Sequence, residues 1–400
     1  MQTGAPSQPS DLIDRETEVN TIVSKMKSSI NYNIAIIGYR RIGKSSILLK
    51  AKQILSKNQK IVVVYFDVKR NLGEPRIFLS RLQKAIFYAY LEKLGFLGKV
   101  KARTAQAKTI PSKILETLTS KKIKSTGFEI GPGGTITPKL EFGEKEKEYG
   151  TLFYSVFELA TTLAENSKLK FVIILDEFQD IEELDRYPGL KNIFSLFRSV
   201  IQERGKRVSF IISGSRVHLL KTILESGEKP LFLHFNEQVI GEMDKENSIK
   251  LFNKYLKQRK ISPDSKIAEE AYHLVGGHPL YLMTLGEYWD KNKSIDQVFD
   301  HLLTSPIGPL RLYVEYVLAE DLGIVKGGPI LRTILQTLAQ TETGYSYSEL
   351  SKKLLVPMTK LPFYIDGLIR ADLITKGKNG FVIRDRVVRK YLQMEASMPL

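Results

Sequence analysis

Cysteine is absent from the 400 residues, which removes disulfides, thiolate zinc sites and cysteine nucleophiles together. Histidine is scarce, and His218, His234, His273, His278 and His301 form no i, i+4 pair of the zincin type, so no transition-metal site is expected. Long apolar runs are missing too. The longest, such as Phe171 to Leu175, fall far short of the ~20 residues that a membrane-spanning helix needs. The opening MQTGAPSQPSD lacks the charged-then-apolar order of a secretory signal, so a cytoplasmic location without a membrane partner is expected.

What is present is the make-up of a globular protein of two or three domains, with 42% hydrophobic and 26% charged residues. The formal net charge of +16 favours a polyanionic partner, because clustered Lys and Arg displace counterions from a phosphate backbone. Much of the excess lies in two stretches, Lys99 to Lys124 and the tail from Lys352 to Lys390. For the first stretch a solubilising surface and a nucleic-acid contact fit equally.

Asp14 to Ser28 places Val19, Ile22, Val23 and Met26 at helical spacing and reads as a short amphipathic helix. Asn33 to Ile37, Ile61 to Phe66, Phe171 to Leu175 and Val208 to Ile212 are short β-branched runs separated by helical patterns. That is the signature of a parallel sheet flanked by helices, an α/β core. Between the second and third strands, residues 95–149 form a long excursion. Phe128 and Ile130, then Ile136, Leu140 and Phe142, flank a Gly-Pro-Gly-Gly turn there, which predicts a β-hairpin with no assigned task. The domain plan is a leader over 1–10, a core over 11–242, a helical lid over 243–306 broken by GGHP, and a last domain over 307–400.

The chemistry concentrates at Gly38-Tyr39-Arg40-Arg41-Ile42-Gly43-Lys44-Ser45, which satisfies G-x-x-x-x-G-K-[ST] after a predicted strand and before a predicted helix. Gly38 and Gly43 permit the turns that aim backbone amides at phosphate oxygens, and the helix N-terminus adds partial positive charge. Lys44 is expected to neutralise the β- and γ-phosphates, and Ser45 to offer a hydroxyl to Mg²⁺. A carboxylate at the end of a neighbouring buried strand should complete the metal site, and Phe171 to Leu175 runs into Asp176-Glu177. Asp176 is expected to hold the magnesium and Glu177 to orient and deprotonate the attacking water. Val208 to Ile212 runs into Ser213-Gly214-Ser215-Arg216, where Ser213 could bond that water and Arg216 could sense the third phosphate. Helix capping by Ser213 or Ser215 fits equally well.

These motifs together resemble the archaeal ATPase family within the STAND class of P-loop NTPases, relatives of AAA+ origin-recognition initiators. Asp14-Arg15-Glu16 with Glu18 is similar to the family's acidic signature before the first strand, and Gly38 to Ser46 to its double-arginine phosphate loop. Leu175-Asp176-Glu177-Phe178-Gln179 resembles its acidic strand end, Ser213-Gly214-Ser215-Arg216 its sensor turn, and Gly276-Gly277-His278-Pro279-Leu280-Tyr281-Leu282 its lid motif. The resemblance spans roughly Asp11 to Trp289. It implies ATP and Mg²⁺ as cofactors, a lid that reports the ATP or ADP state, and Asp14, Arg15 and Pro279 near adenine. One departure stands out: Phe232-Leu233-His234-Phe235 follows Pro230-Leu231 where an arginine finger would be expected. That argues against trans-activated hydrolysis in a ring and for slow intrinsic turnover.

Gly328 to Gln340 carries Ile330, Ile334, Leu335 and Leu338 on one face, Ser346-Tyr347-Ser348-Glu349 offers a capping box, and a third helix near Thr359 buries Leu361, Ile365, Leu368 and Ile369. A hairpin around Gly377-Lys378-Asn379-Gly380 follows. Three helices and a hairpin resemble a winged helix-turn-helix. Lys360, Tyr364, Gly367 and Arg370 would then face a major groove of double-stranded DNA, with Lys376 and Lys378 on phosphates. The expected function is an ATP-binding, slowly hydrolysing switch that binds DNA. The alternative is a signalling or scaffold ATPase, alone or as a homo-oligomer, whose winged helix contacts protein.

Overall fold

Side chains alternate along β1 (Ile34–Ile37) and β2 (Ile61–Asp67), and that alternation divides the core of the α/β part in two. Ala35, Ile37, Val62, Val64 and Phe66 enter one apolar cluster, while Ile34, Ile36, Ile61 and Val63 enter another on the opposite face. The structure, a computed structural model, describes residues 12–95, 126–131, 135–140, 149–225 and 229–397. No helix among the described residues is long and apolar enough to cross a membrane.

Five parallel strands form one sheet in the order β2, β5 (Lys170–Asp176), β6 (Val208–Gly214), β1 and β7 (Asn236–Val239). One face is covered by α1 (Glu16–Lys27) and α2 (Lys44–Ser56). The other is covered by α4 (Pro75–Lys93), α5 (Tyr149–Ser167), α6 (Ile193–Glu203) and α7 (Val217–Glu225). A short α3 (Val68–Asn71) leaves β2 directly. Strands buried on both faces read as unbroken apolar runs, which is why four strands of the sheet are visible in the sequence, whereas the polar, largely exposed β7 at its edge is not.

Register aligns the carboxyl ends. Asp67 pairs with Asp176, Ile36 with Ser213 and Ile37 with Gly214, so the phosphate loop, the acidic pair and the sensor turn all leave the sheet at one edge. The sequence reading placed Asp176 on a strand next to that of the loop, and this is corrected: β6 lies between β1 and β5. Ser213 on β6 therefore sits between the two elements it must connect.

The hairpin expected in the excursion is present, with β3 (Thr126–Gly131) antiparallel to β4 (Thr135–Leu140). The leader, the basic stretch Lys99 to Lys124 and the turn residues 132–134 lie outside the described residues.

A third apolar cluster runs without interruption from Met243 to Leu392. It is built by α8 (Lys245–Gln258), α9 (Ser265–Val275), α10 (Pro279–Tyr288), α11 (Ile295–Thr304), α12 (Pro309–Gly323), α13 (Pro329–Ala339), α14 (Tyr347–Leu354) and α15 (Leu361–Arg370). The hairpin β8 (Ile374–Lys376) and β9 (Phe381–Ile383) and the last helix α16 (Arg386–Ser397) complete it. The capping box at Ser346 and Glu349 starts α14 as expected. Helices α12 and α16 were not anticipated. Gly277 is required where it stands, because a Cβ there would lie 1.9 Å from the Met243 carbonyl oxygen, and Met243 N donates to Gly277 O at 2.9 Å. That close approach ties the GGHP break to the start of α8.

Candidate functional site

The phosphate loop hangs between buried β1 and the first turn of α2. Gly43 caps that turn at φ 107°, in the left-handed region that glycine enters without strain. A Cβ on Gly38 would lie 2.6 Å from the Ile240 carbonyl oxygen, so the loop's first glycine is fixed by packing. Ile42 anchors the loop in the cluster beneath α2, and Ser46 is buried beside it. Lys44 is buried, and its Nζ donates to the Tyr39 carbonyl oxygen at 2.9 Å. Burial pushes the Lys44 pKa down, and the nearby Glu177 and Asp176 only partly oppose this.

Asp176 is the hub of the acidic side. Its Oδ1 accepts from the Ser213 hydroxyl and from the Glu177 backbone N–H at 3.1 Å. Its Oδ2 accepts from Ser45 Oγ at 2.8 Å and from the Tyr65 hydroxyl at 2.5 Å. Burial, with the Asp176 charge second, raises the Tyr65 pKa and keeps the phenol a donor. Two hard oxygen ligands, a hydroxyl and a carboxylate, meet at the N-terminus of α2, and this donor set suits Mg²⁺. Glu177 follows in the left-handed region at φ 51°, and its Oε2 accepts from Ser215 Oγ and Gln179 Nε2, both at 2.8 Å.

These groups line a cavity of about 690 Å³. Lys44, Ser45 and Arg41 form one wall, Glu177, Asp180 and Arg216 a second. The third, contributed by α10, α12 and Ile324 just past it, is largely apolar, with Pro279, Leu280, Met283, Tyr313, Tyr316 and Ile324 beside the single carboxylate of Glu320. Asp180 is pushed up to about 6, first by burial and then by Glu177, with Arg216 and Lys69 opposing. The Arg41 guanidinium lies 5.3 Å from the Tyr313 ring centroid.

Arg40 departs from simple phosphate binding. Its guanidinium pairs with Glu320 and, at 3.0 Å, with Asp321, both on α12. His278 Nε2–H donates to the Arg40 carbonyl oxygen at 3.1 Å, and the imidazole stacks on Tyr281 at 4.3 Å. The Tyr281 hydroxyl donates to Asp385 at 2.7 Å, and Asp385 in turn caps the start of α16. Tyr39 turns away from the cavity, with its ring 3.3 Å beneath the Arg384 guanidinium. Arg384 donates to the Asp372 carbonyl oxygen at 2.6 Å, and the Asp372 carboxylate accepts from His218 N, just past the sensor turn.

Of the residues singled out in the sequence, the geometry gathers Arg40, Arg41, Gly43, Lys44, Ser45, Ser46, Glu177, Arg216 and Pro279 around the cavity, with Asp176 and Ser213 directly behind. Asp14 and Arg15 do not line it. Arg15 is buried and donates to the Gly241 carbonyl oxygen at 2.6 Å and to Glu18 at 3.0 Å, which clips the turn before α1 to the segment after β7. Sequence reasoning missed Tyr65, Tyr313, Tyr316, Glu320 and Asp321, and gave Gln179, quoted with the acidic strand end, no role of its own. The α12 residues had a signal, since Pro309 opens a run with Leu310, Val314, Val317 and Leu318 at helical spacing.

Lys360, Arg370, Lys376 and Lys378 are exposed and do not line the cavity. Tyr364 is half-buried beside Gly327, and Gly367 is covered by Val325. The outward face of α15 is instead Pro362, Phe363, Asp366 and Arg370.

Comparison with known proteins agrees with this geometry. The family model described as an ATPase domain predominantly from Archaea matches residues 12–285. An uncharacterized ATP-binding protein of Methanocaldococcus jannaschii is 22% identical over 307 residues, 76% of this chain and 77% of that protein. A second from the same organism is 22% identical over 315 residues, 77% of this chain and 82% of its own length. Among solved structures, a Walker-type ATPase of Pyrococcus abyssi superposes with a TM-score of 0.66 at 20% identity, covering 98% of this chain and 99% of that one.

Proposed function

The chain belongs to the family of ATPase domains found predominantly in Archaea, and from that premise we propose that it is an ATP-binding, slowly hydrolysing switch whose C-terminal part engages a partner. The observation that carries the reading is the meeting of Ser45, Asp176 and Glu177 at the mouth of the phosphate loop, with Ser45 Oγ 2.8 Å from Asp176. Mg²⁺, held by Ser45 and Asp176, would draw charge off the leaving phosphate. Lys44 and the loop amides bind the phosphates, and the apolar wall from α10 and α12 receives the base. Glu177 takes the proton of the attacking water once Ser215 and Gln179 release or redirect its carboxylate. Pairing of Arg40 with Glu320 and Asp321 supports coupling between the loop and the helices that continue into the C-terminal part.

ATP binding and turnover of Lys44→Ala and Glu177→Gln test this. Loss of affinity in the first and loss of turnover with retained affinity in the second are expected. Normal ATP affinity and turnover in Lys44→Ala would end the proposal.

The helices α13 to α15 with the β8–β9 hairpin resemble a winged helix-turn-helix, and the outward face of α15 supports a protein partner. Pro362, Phe363 and Asp366 offer no donors for base edges, which leaves Arg370 alone to supply them from that face, and a carboxylate there repels a phosphate backbone. A second reading, duplex DNA held by the exposed Lys360, Arg370, Lys376 and Lys378, is favoured by those cations alone. It requires an affinity that falls steeply with salt and weakens in Lys376→Glu with Lys378→Glu.

A further inference from the structure

We propose that the turn joining α14 to α15, with the first turn of α15, is a docking surface for an acidic amphipathic segment of a partner protein. The inference rests on the reading that the C-terminal part is the switch's partner-binding end, and it names the partner's chemistry.

Three large apolar side chains stand in water along this short stretch: Leu355 is 91% exposed, Met358 56% and Phe363 58%. Pro357 and Pro362 are exposed between them. Apolar residues scattered singly over a surface need no explanation, but three so exposed within one turn and the start of the next helix are a concentration that calls for a partner. Leu355 is the most telling. It adopts φ 53° at the end of α14, where glycine or asparagine would sit with less strain. A leucine there is unfavourable for its backbone and, at 91% exposure among the described residues, for its hydration alike.

The turn is held rigidly. Ser351 Oγ donates to the Val356 carbonyl oxygen at 2.7 Å, and Lys360 N donates to the Pro357 carbonyl oxygen at 2.9 Å. Leu354 and Val356, on either side, pack back onto the core cluster. Leu355 is thus aimed outward between two inward anchors, so the surface is pre-organised and binding need not order it.

Charge decides the occupant. Lys352, Lys353, Lys360 and Arg370 are exposed along and beside the same stretch, against Asp366 on the outward face of α15 and Glu349 near Lys352 and Lys353 on α14. Lys353 Nζ also lies 4.8 Å from the Tyr345 ring centroid. A second copy of this chain would bring the same cationic rim and a net charge of +16 to the contact, which disfavours self-pairing. A segment with leucine or phenylalanine on one face and Glu or Asp on its flanks matches both features.

The full-length chain can be titrated, with ATP, with ADP and without nucleotide, into a fluorescein-labelled synthetic peptide of about four helical turns. The peptide carries Leu and Phe at i, i+3, i+4 and i+7 with Glu elsewhere; a scramble of identical composition and a labelled DNA duplex serve as the other probes. Preferential binding of the patterned peptide is expected, weakened ~10-fold or more by Phe363→Ser and by Leu355→Ser, while ATP turnover and melting temperature stay at wild-type values. Equal binding of the scramble, no peptide binding in any nucleotide state, or indifference to both substitutions would overturn the docking surface. So would a duplex bound in place of the peptide through the same residues. Peptide binding that ignores nucleotide upholds the surface and removes the switch.

Discussion

The Arg40 guanidinium, in the phosphate loop, lies 3.0 Å from the Asp321 carboxylate on α12, and Glu320 holds the same group. Two carboxylates thereby satisfy a cation that stands beside Lys44 at the mouth of the cavity. His278 bonds the carbonyl of the same residue, so Arg40 is gripped at both ends by the helical part. On the proposed function, a triphosphate and α12 would compete for one guanidinium.

That competition predicts tighter nucleotide binding when the acids are neutralised. Glu320→Gln with Asp321→Asn should strengthen binding of a fluorescent ATP analogue by ~3- to 10-fold, the worth of about 1 kcal/mol of ion pairing released to the ligand. Adding Arg40→Ala should abolish the gain. Unchanged affinity in the double variant would show that Arg40 does not limit phosphate binding.

Glu177 and Lys44 should separate chemistry from binding. Glu177→Gln keeps the size and the Ser215 contact but removes the base, so turnover should fall by ~10²- to 10³-fold with ATP affinity within about 3-fold of wild type. Lys44→Ala should instead lose affinity. Steady-state phosphate release and equilibrium titration on the same preparations distinguish the two, and equal loss in both measures for Glu177→Gln would contradict a base at this position.

Tyr65 should set the Mg²⁺ requirement. Its hydroxyl, 2.5 Å from Asp176 Oδ2, shares that oxygen with Ser45 and fixes the carboxylate's rotation. In Tyr65→Phe the Mg²⁺ concentration for half-maximal nucleotide binding should rise ~3- to 10-fold, consistent with losing one hydrogen bond to a charged group. Nucleotide affinity in EDTA should stay unchanged, which a general unfolding effect would not spare.

Four strands of the sheet, the loop and the acidic strand end were legible because each depends on local pattern: β-branched runs buried on both faces, a glycine-lysine-serine spacing, and a carboxylate pair closing an apolar strand; the polar edge strand β7 carries no such pattern. Tyr65 was not legible. Nothing in Ile61 to Asp67 marks one residue as facing the Asp176 carboxylate; only the register Asp67 to Asp176 and the sheet order bring them together. Glu320 and Asp321 are more distant still, since their meeting with Arg40 depends on how the helical part folds back on the loop. Asp14 and Arg15 show the opposite limit. Their motif was readable and the resemblance implied a place near the base, while the structure shows Arg15 donating to Gly241 and Glu18 and neither residue lining the cavity.

Asp180 should make the stability of the nucleotide-free chain depend on pH in a defined direction. Its pKa is pushed up to about 6, first by burial and then by Glu177, with Arg216 and Lys69 pulling the other way and Glu183 adding repulsion. The unfolded chain keeps the ordinary value near ~3.9, so between roughly pH 4 and pH 6 the folded state holds a proton that the unfolded state has released. The stabilising contribution of this group is therefore full below about pH 4 and is lost as pH rises through about 6. Asp180→Asn carries no such dependence. It should melt higher than wild type at pH 7.5, by about 1 kcal/mol once water access to the cavity is allowed for, and the gap should close toward pH 4. Thermal unfolding at both ends of that range measures it. A gap that persists unchanged at low pH would mean that ionisation of Asp180 does not cause it, and wild type melting above Asp180→Asn at pH 7.5 would mean that Arg216 neutralises Asp180 more strongly than burial penalises it.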